Sequence, residues 1–515
     1  MTPPRIRPRF YITTPIYYVN GAPHIGHAYS SIAADVIARF KRLDGFEVFF
    51  LTGTDEHGQK IEKAAQAAGL EPQEFVDRNA NAFRAMARAI NLSNDDFIRT
   101  TQQRHKSGCI ALWQKLETAG AVYLGHYEGW YATRDEAFYA EDELVLGPDG
   151  IKRSPYSAPV EWVRESSFFF KLSAFQDRLL ALYDQNPEFI QPASSRNEIV
   201  AFVRAGLRDI SISRTSFSWG VPVPGSPDHV MYVWVDALAN YITAMGYPDM
   251  QAPRMAFWPA NLHLVGKEIT RFHAVYWPAM LMAADLPLPC RVFANGWWTV
   301  EGEKMSKSLN NALPVEPLIA EFGLDPLRYF LMREMPFGND GDFSRRALIN
   351  RLNDELANDL GNLAQRILSF IAKNADGALP LHGLMTEADF LLLSHARSLP
   401  GRVRDAIDGM ALHEALDQIW KLVRSANAYI DHQAPWALRK TDPLRMAAVL
   451  RILCDALLVI GVLLQPFMPT TMAKLLDFLA VPPNARDLAA LESALTDGSR
   501  LPTPSGLFPR FVEPA

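Results

Sequence analysis

FYITTPIYYVNGAPHIGHAYSSIAADVIARFKRLDGFEVFFLT, residues 10–52, decides the fold. Phe10 to Ile16 sets Tyr, Ile and Thr in succession and reads as a strand. Pro15, Asn20, Gly21 and Pro23 break it into a loop. From His27 onward Ile32, Val36, Ile37, Phe40 and Leu43 recur at helical spacing, and Gly45 supplies a stop. Glu47 to Thr52 follows at once as a second strand. Strand, helix, strand with short joins is the βαβ pattern of a parallel sheet. Working outward, the pattern returns late: strand Asn261 to Val265, helix Lys267 to Ala283, strand Arg291 to Ala294. Between the halves, about Leu116 to Asp228, lies a stretch rich in aromatics and turn residues with a hairpin signal at Gly147-Pro-Asp-Gly150. It reads as an insertion dividing the sheet. After Asn350, Leu352, Leu356, Leu360, Leu363, Ile367 and Phe370 step by three and four, a helical stripe, and the last third reads as all-α.

At 515 residues the chain suggests two to four units, taking roughly 100–200 residues per domain. With 49% hydrophobic and 21% charged residues the composition is globular and excludes a largely disordered chain. Lys+Arg 51 against Asp+Glu 57 leaves a net charge of −6, so nucleic acid must be held by a local patch rather than by a global basic excess. Cys109, Cys290 and Cys454 are the only cysteines and form no C-x-x-C, so a disulfide framework is excluded and a reducing compartment expected. No apolar signal core follows the basic N-terminus. The most apolar run, Ala456 to Leu464, falls short of the roughly 20 residues that span a bilayer. A soluble, cytoplasmic protein with no membrane partner is expected.

Two clusters carry chemistry. His24-Ile-Gly-His27 sits at the start of a helix, where N–H groups and a positive dipole end favour anions. Two imidazoles there can donate to phosphate oxygens, and Gly26 lets a flat base or ribose approach the backbone; the same four residues also suit an ordinary loop. Lys304-Met-Ser-Lys-Ser308 follows a hairpin at Trp297 to Val300 turning at Glu301-Gly302. Its paired lysines and serines form a cationic clamp suited to charge developing on a triphosphate. A lysine-rich loop alone is a solvated surface; both clusters in this order, with a split βαβ framework between, are a specific signal.

With H-I-G-H and K-M-S-K-S letter for letter, the sequence resembles the class I aminoacyl-tRNA synthetases. Thr14-Pro-Ile-Tyr-Tyr18, Gly53-Thr-Asp-Glu-His-Gly58, Tyr232-Val-Trp-Val-Asp-Ala237 and Phe272-His-Ala-Val-Tyr-Trp277 narrow the resemblance to the methionyl branch, over nearly the whole chain. The fold then implied is α/β: a Rossmann-type parallel-sheet catalytic domain (1–115 and 229–295) split by a connective insertion (116–228). A region with the lysine loop and stem contacts (296–350) and an α-helical anticodon-binding bundle (351–515) follow.

The resemblance implies methionine activation by ATP, as its Mg²⁺ complex, and transfer to tRNA(Met). His24, Gly26, His27, Gly266, Glu268, Lys304, Ser306 and Lys307 would bind ATP, with His24, His27, Lys304 and Lys307 catalytic. The methionine pocket would be lined by Ile16, Tyr18, Trp234, Ala237, Leu238 and Tyr241, together with Ile269, Phe272, His273 and Trp277. Trp234, Ala237, Leu238 and Tyr241 share one helix face by spacing; Tyr241 and His273 could hydrogen-bond near the sulfur. Asp55, in a Gly-rich turn after a strand, would pair with the substrate ammonium. Asn362 and Arg366, i and i+4 on one helix, and Trp436 behind Pro435 would read a splayed anticodon base.

The insertion departs from the family pattern. Where many relatives carry C-x-x-C pairs for zinc, this chain has Ala132-Thr-Arg-Asp135, so no structural zinc is expected and Trp130, Tyr131, Phe138 and Tyr139 would hold the knuckle. No dimerising module follows residue 515, so a monomer is expected. The runner-up readings are a class I synthetase for leucine, isoleucine, valine or cysteine, and a catalytically silent tRNA-binding protein. The short insertion, the missing thiolates and the intact motifs speak against them.

Overall fold

The parallel sheet foreseen from the two βαβ patterns has seven strands in the computed structural model, which describes residues 7–132, 134, 137–139, 141–300, 303–304, 313–491 and 493–513. Its order is Ile190–Gln191, Val292–Asn295, Leu262–Gly266, Arg9–Thr13, Glu47–Asp55, Tyr17–Tyr18, with Asp96–Arg99 also paired to Glu47–Asp55. Register is parallel throughout, Ile12 opposite Leu262, His263 opposite Val292 and Leu51 opposite Asp96. The first strand is shorter than its sequence suggests. Thr14 N–H still bonds Leu51 O (3.1 Å), but Pro15 has no N–H to give, and pairing resumes only at Tyr17 and Tyr18.

By internal contacts the chain divides into two units. The first, Phe10–Pro23 with Phe49–Asn295, holds the core around Tyr11, Leu51, Ile98, Trp113, Val235 and Trp277. The insertion is built on a long antiparallel pair, Val122–Ala132 against Glu161–Phe170. The Gly147–Gly150 turn joins Val145–Leu146 to Lys152–Arg153, with Gly150 at φ +74 where a Cβ would be strained. Two helices there, Gln176–Gln185 and Ala193–Arg204, were not foreseen; Leu179 and Tyr183, and Ile199 and Val203, bury one face of each. The late βαβ helix differs too: it is a 3₁₀ turn (Lys267–Ile269), a π-helical turn (Phe272–Tyr276) and a short α-helix (Trp277–Ala283).

The second unit is Met1–Arg9, His24–Val48 and Gly296–Ala515. Its helix Ile25–Leu43 starts two residues before His27, where the sequence sets its beginning, because His24 caps it. The leucine stripe runs through consecutive segments Arg345–Asn350, Arg351–Gly361 (π-helical) and Asn362–Asn374, burying Leu352, Leu356, Leu360, Leu363 and Ile367. Beyond Gly341–Phe343 no strand occurs among the described residues. Pro443–Leu464, longer than the apolar run suggests, is apolar enough to cross a membrane by length and composition, but it is largely buried in the helical bundle.

Arg328, fully buried, ties three parts of this unit together. It donates to Asp35 Oδ2 (2.7 Å) on the Ile25–Leu43 helix and to the carbonyls of Pro466 (2.8 Å) and Phe467 (3.0 Å). Arg328→Ala is expected to cost about 3 kcal/mol in urea unfolding; Arg39, also on Asp35 at 2.7 Å, keeps the loss at the lower end for a broken buried pair.

Candidate functional site

In the first unit, Leu262–Gly266 and the strand residues Phe10–Thr13 and Phe49–Asp55 lie side by side at the point where strand order reverses, and ligands collect at the carboxyl ends of strands at such points. There the structure has a cavity of about 330 Å³. Pro15, Ile16 and Tyr18 line it from the segment after Arg9–Thr13, Asp55 from the end of Glu47–Asp55 and Lys60 from beyond it. Tyr232 to Trp234, Ala237, Leu238 and Tyr241 form the helical wall, closed by Ile269, Phe272 and His273.

Every residue expected in a methionine pocket lines this cavity except Trp277. That ring is fully buried behind Tyr241, 6.3 Å between centroids, and against Trp258 at 6.2 Å. The π-helical turn sets Phe272 on Trp234, rings stacked at 3.8 Å. Pro15, Lys60, Tyr232 and Val233 were not foreseen; Lys60, whose ammonium lies 5.9 Å from the Tyr18 ring, carried no signal beyond following Gly58.

The Tyr241–His273 pair in the lining is polar but neutral. His273 Nδ1 lies 2.9 Å from Ile269 O, which can only accept, so the proton sits on Nδ1 and Nε2 accepts from the Tyr241 hydroxyl at 2.6 Å. Burial lowers the His273 pKa to about 4 and raises that of Tyr241, so neither carries charge at neutral pH. An uncharged, polarizable side chain fits there better than an ionic one.

The charged groups of the lining are Lys60 and Asp55, which is buried and closes the Glu47–Asp55 strand. The neighbouring backbone is fixed. Glu56, also buried, accepts from Arg99 twice (2.6 and 2.9 Å), from Thr54 and from Thr101. A Cβ on Gly53 would lie 2.1 Å from Ile98 O, so only glycine lets the strands meet there. At the end of Leu262–Gly266 the Glu268 carboxylate lies over Gly266, within 2.6 Å of where a Cβ would stand.

In the second unit the two histidines cap their own helix. His24 Nδ1 accepts from Gly26 N–H and His27 Nδ1 accepts from His24 N–H, both 3.1 Å, with the rings 3.9 Å apart. Each neutral ring therefore carries its proton on Nε2 and can donate through it. Contrary to the simple helix-terminus picture, Ile25 N–H is taken by Leu313 O (3.0 Å) and Gly26 N–H by His24. The donors this turn can offer an anion are imidazole rather than backbone. Lys304 ends the expected hairpin, pairing with Thr299; its side chain, Ser306 and Lys307 lie outside the described residues.

Asn362 and Arg366 project from Asn362–Asn374. The Arg366 guanidinium lies 5.4 Å from the Trp436 ring and pairs with Asp431, and Trp436 is 47% exposed. Pro435 opens a short helix after Ala434, whose left-handed φ of +45 turns the chain and presents that ring.

In the insertion, Trp130 packs on Trp162 (5.4 Å) under the Lys152 ammonium (4.1 Å). Glu141 accepts from both Trp130 and Lys152. Tyr131 is buried and Tyr139 packs beside Ala132; the Phe138 side chain lies outside the described residues. The one cluster of potential metal ligands among the described residues lies elsewhere, at His105, Cys109 and Asp236. Its groups are hydrogen-bonded to one another, to Thr243 or to His57, which leaves no open donor set.

A family model described as "tRNA synthetases class I (M)" matches residues 10–368, and one described as "Anticodon binding domain of methionyl tRNA ligase" matches residues 379–514. Methionine–tRNA ligase of Brucella suis biovar 1 is 56% identical over 508 residues, covering 98% of this chain and 99% of the relative. That of Mesorhizobium japonicum is 54% identical, covering 98% of each. A solved structure of Mycobacterium tuberculosis methionyl-tRNA synthetase in complex with methionyl-adenylate superposes with a TM-score of 0.95 at 50% identity, covering 98% of this chain and 100% of that one.

Proposed function

The chain belongs to the class I tRNA synthetases of the methionyl type, and on that premise we infer that it is a methionine–tRNA ligase. It activates L-methionine with ATP to methionyl-adenylate and pyrophosphate, then passes the methionyl group to the terminal adenosine of tRNA(Met). The observation that carries the reading is the cavity, whose lining joins one buried carboxylate, a neutral Tyr241–His273 pair, and apolar and aromatic walls.

In this reading Asp55 holds the substrate ammonium and the walls from Ile16 to His273 hold the thioether. The methionine carboxylate attacks the α-phosphate of ATP, which arrives as its Mg²⁺ complex, and pyrophosphate leaves. No protein nucleophile is needed, so rate comes from positioning and charge stabilisation. His24 and His27 donate through Nε2 to phosphate oxygens, Gly26 leaves room for the nucleoside, and Gly266 with Glu268 holds the ribose. Lys304, Ser306 and Lys307 stabilise the pentavalent phosphate. Asn362, Arg366 and Trp436 receive an unstacked anticodon base. The Trp130–Lys152–Glu141 cluster supports a knuckle that does without zinc. The enzyme acts as a cytoplasmic monomer.

Amino-acid-dependent ATP–pyrophosphate exchange is the test: methionine alone among methionine, leucine, isoleucine, valine and cysteine should support it, and exchange with another of these would overturn the assignment. Trp436→Ala should keep exchange within about twofold yet lower tRNA charging by 10-fold or more, since one base–aromatic stack is worth about 1–3 kcal/mol. Equal loss of both activities would remove Trp436 from anticodon reading.

A further inference from the structure

Asp236 lies on the Val233–Thr243 helix but on the side away from the cavity. Trp234, Ala237, Leu238 and Tyr241 line the cavity, whereas Asp236 and Thr243, seven residues apart, engage residues outside it. Asp236 is buried, and its two oxygens are used differently. Oδ2 accepts from His57 Nδ1 at 2.7 Å and Oδ1 from His105 Nε2 at 2.8 Å. Thr243 completes the chain at His105 Nδ1, 2.9 Å.

Three elements meet at this carboxylate. His57 stands two residues beyond Asp55, and its loop is further held by Trp219, whose indole N–H donates to Glu56 O (2.6 Å) and whose carbonyl accepts from Gly58 N–H (3.0 Å). His105 comes from Gln103–Thr118, a helix so close that a Cβ on Gly108 would lie 2.2 Å from the Thr243 methyl. The third is the cavity wall itself. A carboxylate can only accept, so it fixes the His57 proton on Nδ1 and leaves Nε2 buried and without a hydrogen-bond partner; His57 and Asp55 both line one small cavity. Burial disfavours the Asp236 anion, but the electrostatic pull of His57 and the hydrogen bonds from His105 and His57 outweigh it and hold the carboxyl well below its usual range.

We propose that Asp236 is a positioning residue for amino-acid activation: it locks the loop carrying Asp55 to the helix carrying Trp234, Ala237 and Tyr241, and so fixes the span between the substrate's ammonium anchor and its side-chain wall. This rests on the reading of Asp55 as that anchor. A rigid span matters only to a ligand that engages both ends, and this gives the test its contrast.

Two inhibitors of exchange supply it: methioninol, which keeps the ammonium and the thioether, and 4-(methylsulfanyl)butan-1-ol, which lacks the ammonium. Wild-type enzyme should bind methioninol far more tightly; equal binding would overturn the Asp55 reading itself. With that contrast in place, Asp236→Asn should raise the methionine KM and the methioninol Ki about tenfold, with the ATP KM and the Ki of the desamino alcohol within about twofold, the pattern of lost orientation rather than lost fold. His57→Asn, whose amide N–H can replace Nδ1–H, should stay within about threefold of wild type, and His57→Leu should follow Asp236→Asn. Equal weakening of both alcohols, parallel changes in methionine and ATP KM, no change at all, or failure of His57→Asn to rescue would each overturn the proposal.

Discussion

Asp55→Asn is expected to lower kcat/KM for methionine in ATP–pyrophosphate exchange by about 10²–10³-fold while leaving the ATP KM within about threefold, because truncating one partner of a desolvated charge pair costs 2–5 kcal/mol. The size follows from where the carboxylate stands. Asp55 is the only acidic group lining the cavity among the described residues, and it is buried at the end of a strand held on both sides. Pairing with an ammonium there takes place out of water, where a charge–charge contact is strongest. The Asn side chain keeps the shape and one acceptor oxygen but not the charge, so the loss reports electrostatics rather than packing. Steady-state exchange at varied methionine and varied ATP checks it. A change of less than threefold in kcat/KM for methionine would move the ammonium site elsewhere.

Asp55 is a residue to which the sequence itself points. Asp55 sits where a βαβ pattern, a glycine-rich turn and a quoted motif coincide, so its place at a strand end follows from local rules alone. Trp234, Ala237, Leu238 and Tyr241 were equally legible, because one helical period sets them on one face. Trp277 belongs to the same motif as Phe272 and His273, yet it lies behind the cavity. The π-helical turn Phe272–Tyr276 alters which residues share a face, and nothing in an apolar run announces an extra residue per turn. Pro15 marks the break of the first strand, but β-branched and aromatic residues continue past it, so the strand expected to Ile16 overruns the paired Arg9–Thr13.

What the sequence left dark is mostly long-range and polar. The Arg328–Asp35 pair joins residues 293 positions apart, and the Asp236–His105 contact residues 131 apart. No local spacing encodes such contacts; they exist because folding buries each charge, and a buried charge must find a partner. The insertion helices escaped for a different reason. Their apolar residues are sparse and lie in a stretch dominated by aromatics and turns, so tertiary packing rather than a strong intrinsic stripe decides them.

The histidine pair permits a substitution that separates structure from chemistry. His24 does two jobs at once: Nδ1 accepts from Gly26 N–H and caps the helix, while the proton on Nε2 points the ring's donor elsewhere. Asparagine is among the best N-cap residues, and its carbonyl can take over the first job. It has nothing in the place of Nε2–H. His24→Asn should therefore hold unfolding stability within about 1 kcal/mol of wild type, the ordinary spread among good caps, while exchange kcat falls about 10²–10³-fold, as when one donor to developing charge is removed. His27→Ala adds the converse case. His27 Nδ1 accepts from His24 N–H, so alanine orphans that N–H and loses the Nε2 donor together, and both stability and kcat should drop. If His24→Asn kept full exchange, the imidazoles would be caps and nothing more, and the phosphate contact would have to come from other groups. If it unfolded the protein, the cap geometry itself would be misassigned.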